Sequence, residues 1–68
     1  MDSALLEYEM KRRRITKAEA CEAIGIKRSS FYRKLNGKSE FTLSEIQKLI
    51  ELLDISDPMP IFFNKKVS

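Results

Sequence analysis

The chain has 68 residues, 43% of them hydrophobic, with two Gly, two Pro and a single Cys; that is one domain at most, with little core to spare for an enclosed active site and no means of forming an internal disulfide. Hydrophobic content at this level argues against a disordered chain. The net charge of +3 is unevenly placed: residues 1–10 carry three acids and no Lys or Arg, residues 11–38 carry ten Lys or Arg against Glu19 and Glu22, and residues 39–57 carry five acids against Lys48, which favours an electrostatic footprint for a polyanion over an evenly solvated charged face.

A first helix is predicted over residues 3–12. Ser3 is placed to cap it, and Leu5, Leu6 and Met10 share a face that Tyr8 borders. Glu7 early and Lys11 to Arg13 late suit the helix dipole. The run Lys11-Arg12-Arg13-Arg14 leads out to Ile15, an apolar anchor. These four cations either complement the helix C-terminus or reach phosphate.

Thr16-Lys17-Ala18-Glu19 has the form of a capping box, with Ile15 placed as a hydrophobic staple. The second helix carries Ala20, Cys21, Ala23 and Ile24, small enough for another helix to approach closely. Gly25 stops it, since glycine takes the left-handed conformation that other residues resist. Ile26 plugs the turn, and a third helix starts at Lys27 or Arg28. Phe31 and Leu35 lie four apart on one face of it, and Asn36-Gly37 ends it. Lys34 either faces outward or turns away and covers apolar surface with its stem.

Residues 38–41 read as a loop with Phe41 turned inward. Thr42-Leu43-Ser44-Glu45 repeats the capping-box pattern, and Ile46, Leu49, Ile50 and Leu53 follow at helical spacing, closing a fourth helix near Asp54. In the tail, Pro58 and Pro60 oppose a long helix. An irregular segment or a short strand is expected there, with one helical turn around residues 57–62 as the other option. Ile61, Phe62 and Phe63 are too apolar for a free tail. Of the adjacent phenylalanines, one is expected on the core and the other toward a partner chain.

Much chemistry is missing. There is no histidine and no glycine-rich phosphate loop, and one cysteine cannot build a zinc site. Cys21 has acidic neighbours and reads as a small buried hydrophobe rather than a reactive thiol. No enzyme activity, metal, cofactor or small-molecule substrate is expected. No apolar run approaches the roughly 20 residues of a membrane span, no signal peptide is apparent at Met-Asp-Ser, and a lone thiol suits a reducing cytoplasm, where a nucleoid-associated protein would act.

Two helices joined by a short glycine turn, the second one basic, form a helix-turn-helix. Its second helix must bury Ile26, Phe31 and Leu35 while presenting Lys27, Arg28, Ser29, Tyr32 and Arg33 on or near its open side. With these features in place, residues 3 to about 55 resemble the phage repressor/Cro-like (XRE-type) helix-turn-helix family. The likeness rests on the capped Thr16 start, the Gly25-Ile26 turn, "NGK" at residues 36–38, and the capped helix at 42–53. It implies an all-α fold of four or five short helices around one core.

The resemblance also implies roles. Arg28, Ser29 and Arg33 stand where the family reaches base edges in the major groove, and Lys27 stands at the tip of the helix, in reach of base or phosphate. Thr16 and Lys17 stand where the second helix meets phosphate; Asn36 and Lys38 correspond to a phosphate-contacting loop. Ser30 is open between phosphate contact and local capping, and Tyr32 between a DNA contact and packing at the domain edge. The chain departs from the family at Ala20 and Cys21, where size is inverted, and at Lys34 and Leu35. Where many members have an acid, some pairing it with a buried arginine, this chain has Leu35 and Met10, an apolar replacement.

The expected function is therefore sequence-specific binding of double-stranded DNA, as a homodimer on a pseudo-palindromic operator, in the manner of a phage or mobile-element repressor. Ile61, Phe62, Phe63 and Val67 are the candidates for the dimer contact. Two other readings stay open: a protein–protein adaptor or antirepressor that keeps the scaffold and uses the apolar tail, and an RNA-binding domain driven by charge alone.

Overall fold

A computed structural model describes residues 1–63. Five helices follow in order: α1 (Ser3–Arg12), α2 (Lys17–Ile24), α3 (Arg28–Leu35), α4 (Leu43–Leu53) and α5 (Met59–Phe62). No strand occurs among the described residues. The all-α fold expected from the sequence is the fold observed.

Three of the helices, α1, α2 and α4, begin where a side chain satisfies one of their first free N–H groups. At α2, Thr16 Oγ1 accepts from the Glu19 N–H at 3.1 Å while the Thr16 N–H donates to the Glu19 carboxylate at 3.0 Å. Thr42 and Glu45 repeat that reciprocal box at α4, at 2.9 and 3.1 Å. The cap of α1 is Asp2 and not Ser3. Its carboxylate accepts from the Leu5 N–H at 3.2 Å, and its own N–H donates to the Ile61 carbonyl at 2.7 Å. That tie to α5 accompanies an extended Asp2, so the helix starts at Ser3, one residue earlier than a Ser3 cap would set it, and Ser3 lies inside it.

Four helices end by one device, in which the first or second residue past the helix turns left-handed and the next N–H reaches back to a carbonyl five residues earlier. Gly25 (φ 77°) and Gly37 (φ 79°) serve α2 and α3, as their lack of a Cβ allows. Arg14 (φ 57°) and Asp54 (φ 48°) serve α1 and α4. The closing bonds run from Ile15 to Met10, Ile26 to Cys21, Lys38 to Arg33 and Ile55 to Ile50, at 2.9 to 3.1 Å.

Every helix contributes to one core. Leu6 and Met10 come from α1, Ala20, Cys21 and Ile24 from α2, Phe31 and Leu35 from α3, Leu49 and Leu53 from α4, and Ile61 and Phe62 from α5. Ala20 is fully buried, and α2, with small residues at its contact, packs on both α3 and α4. Phe41 meets Phe31 edge-on at 5.6 Å. Met10 and Leu35 are both buried in this core.

Of the forms expected for the tail, a single helical turn is the one observed, over Met59–Phe62, preceded by an irregular stretch at 54–58; no strand occurs there. Pro58 and Pro60 sit at the start of α5, where a missing N–H has no intrahelical partner to lose, so the prolines open a single helical turn that packs on α1. Ile61 and Phe62 are thereby buried in the chain's own core, at 4% and 7% exposure. They are not free surface for a second chain, which corrects the expectation placed on them; burial of the adjacent aromatic pair is split, and Phe63 is the exposed member. Val67 lies outside the described residues.

Candidate nucleic-acid interface

An α-helix turns about 100° per residue. Phe31 and Leu35 anchor the back of α3, and Ser30 and Lys34 are half-buried beside them. Arg28, Ser29, Tyr32, Arg33 and Asn36 are all exposed, and at that pitch they fall within one arc of about 140°. Arg28 and Arg33 mark the two edges of the arc, and Tyr32 lies between them. Lys27, exposed, precedes the helix. No side chain caps the start of α3 and no acid stands in its first turn. The positive end of the helix dipole therefore adds to the charge of Lys27 and Arg28.

The other expected residues lie around this arc with differing freedom. Thr16 is exposed; its N–H donates to Glu19 and its hydroxyl oxygen accepts from the Glu19 N–H, which leaves the hydroxyl proton to donate. Ser30 is half-buried. Asn36 and Lys38 are exposed in the turn that ends α3. Lys17 sits at the start of α2 with its Nζ 2.9 Å from the Glu7 carboxylate and 5.6 Å from the centre of the Tyr32 ring. The Glu7 hydrogen bond and charge hold the Lys17 ammonium above its ordinary pKa of 10.5. Sequence reasoning placed Glu7 only as a helix-dipole residue and missed this contact, which joins three helices.

The basic block is narrower as a surface than as a sequence. Of its ten cations, four have acidic partners: Arg12 and Arg13 on Glu9, Lys17 on Glu7, and Lys34 on Glu45. Arg13 also donates to the Asp54 carbonyl at 3.2 Å, joining the ends of α1 and α4. Lys34 resolves toward the protein: it donates to both Glu45 oxygens at 2.6 and 2.8 Å and lies 5.8 Å from the Phe41 ring centre. Lys11, Arg14, Lys27, Arg28, Arg33 and Lys38 have no acidic partner among the described residues. Four of these six lie on α3 or its flanking turns.

Cys21 offers no chemistry at this face. It is buried, and burial pushes its thiol up past the opposing pull of the Arg28 charge. No group of three or more potential metal ligands occurs among the described residues, and no helix there is long and apolar enough to cross a membrane.

A family model described as a Cro/C1-type HTH DNA-binding domain matches residues 6–58, from within α1 through α4. No curated protein and no solved structure matches the chain.

Proposed function

The chain belongs to the Cro/C1-type helix-turn-helix DNA-binding family, and from that premise we propose that it is a transcription regulator that reads a pseudo-palindromic operator as a homodimer, with α3 in the major groove. The observation that carries this reading is the arc on α3: two arginines, a serine, a tyrosine and an asparagine, exposed together. Arginine pairs bidentately with guanine, which makes Arg28 and Arg33 the base readers of first choice. Ser29, Tyr32 and Lys27 complete the reading face. Asn36, Lys38 and Thr16 take phosphates beside it; Ser30, half-buried, and Lys17, held by Glu7, are subordinate members of the phosphate set.

Dimerisation follows from information content. One recognition helix reads a few base pairs, too few to distinguish an operator within a genome. Two helices on half-sites about 34 Å apart double the reading. A bound dimer lying across a promoter excludes the polymerase, so repression requires no further part.

Selection of bound sites from a random duplex pool tests the whole reading. The expected result is one enriched sequence with a two-fold axis, bound about a thousandfold or more above random DNA. Affinity that follows salt alone, with no enriched sequence, would show a charge-driven binder instead.

A further inference from the structure

Glu7, Lys17 and Tyr32 come from three helices, and their contact has no role in the core. The Glu7 and Lys17 side chains are 38% and 40% exposed and Tyr32 is 43% exposed, so the chain gains little stability from it. What the contact does is favour one arrangement of these side chains. The Lys17 ammonium is held at 2.9 Å by Glu7 and lies 5.6 Å from the Tyr32 ring centre, where the negative face of the ring attracts a cation. Tyr32 sits inside the arc bounded by Arg28 and Arg33. An unrestrained side chain there would lose rotamer freedom on binding, whereas a ring with a cation held against one face loses less.

We propose that Glu7 is a positioning residue for base recognition: through Lys17 it sets the Tyr32 ring, and Tyr32 in turn determines specificity at one position of each half-site. This rests on the DNA-reading function proposed above. The ring edge is apolar and suits a thymine methyl in the major groove, so an A·T pair is the expected target. Lys17, held in this way, acts chiefly as a support for Tyr32 and only secondarily on phosphate.

The test uses the selected operator and duplexes altered at one base pair at a time. Tyr32→Ala first marks the pair whose discrimination depends on the ring. Glu7→Gln and Lys17→Met are each expected to lose at least about threefold of the discrimination at that same pair. Discrimination dependent on Arg33 stays unchanged, and Lys17→Arg, which keeps a cation over the ring, retains the preference. Thermal unfolding of Glu7→Gln, expected to match the parent chain, separates the effect from misfolding. The inference is overturned if Tyr32→Ala marks no pair, if Glu7→Gln keeps full discrimination there, or if it changes affinity equally on every sequence, as removal of any nearby acid would. A parent chain that prefers no sequence overturns the DNA-reading function itself, a failure visible before any variant is made.

Discussion

Arg33 and Lys38 carry the same charge five residues apart, yet their expected roles separate cleanly. Arg33 lies at one edge of the exposed arc, with a planar fork of donors suited to a base edge. Lys38 stands past the helix end, where a flexible ammonium meets phosphate. Arg33→Ala should therefore lose about 1–3 kcal/mol on the selected operator and little on random DNA. Lys38→Ala should weaken all duplexes alike and flatten the salt dependence by about one unit. Equal losses for Arg33→Ala on both sequences would reduce it to a phosphate contact, and an unchanged slope for Lys38→Ala would remove that residue from the interface. The sequence made these residues legible because the spacing of Phe31 and Leu35 fixes which side of α3 is open. It could not show which cations the fold consumes. Lys34 finds Glu45 eleven residues on, and Arg13 finds the Asp54 carbonyl 41 residues on. Such partners are set by how helices pack, which no local spacing encodes.

Helix ends divide in the same way between what local chemistry announces and what it hides. Both capping boxes and both glycine turns follow from the residues alone, because each needs only neighbours within a few positions. Arg14 and Asp54 perform the same left-handed turn without glycine and give no compositional signal. The isoleucine after each, as after Gly25, is the trace they leave: it closes the turn and packs against the core. Gly25→Ala should destabilise by about 1 kcal/mol, wholly from backbone strain, since nothing lies within 4 Å of the added Cβ. Arg14→Gly should act in the opposite sense, gaining about 0.5–1 kcal/mol as strain is relieved against a more flexible unfolded chain. Urea denaturation measures both, and a loss on Arg14→Gly would mean that the arginine side chain outweighs its backbone cost. Glu45 binds two elements at once. Burial pushes its carboxyl up, but the hydrogen bonds from Lys34 and the Thr42 N–H, with the Lys34 charge, outweigh burial and hold it below the ordinary 4.5. A depressed folded pKa contributes stability that is fully present above the unfolded value and is lost as pH falls through the folded one. Glu45→Gln keeps an acceptor for the Thr42 N–H and removes the charge. Its deficit against the parent chain should be constant near neutrality and shrink below about pH 4.5. A deficit that persists unchanged at pH 3 would assign it to packing instead.

At the scale of the whole molecule, the question is how two copies would set their reading helices. Leu35 and Gly37, at the far end of α3 from Arg28, border the same cleft as Met1 and Phe62. A two-fold axis beside the tail would therefore turn the C-terminal ends of both reading helices toward each other and carry Arg28 outward on each half-site. Met1, at the chain start, and Met59 and Phe63, in and next to α5, are exposed apolar groups, at 45%, 59% and 43% exposure. Phe63 packs edge-on against the buried Phe62 at 6.5 Å, so a rigid core residue backs it, as suits an aromatic anchor at a dimer contact. Phe63→Glu places a charge at that contact while leaving Ile61 and Phe62 in the core. Two like charges would then face each other across the axis, and desolvating them is unfavourable. The variant should sediment as a monomer at concentrations where the parent chain is a dimer. It should also bind the palindromic operator far more weakly while holding a single half-site with unchanged affinity. Unaltered mass together with unaltered operator binding would place the two-fold axis elsewhere on the molecule.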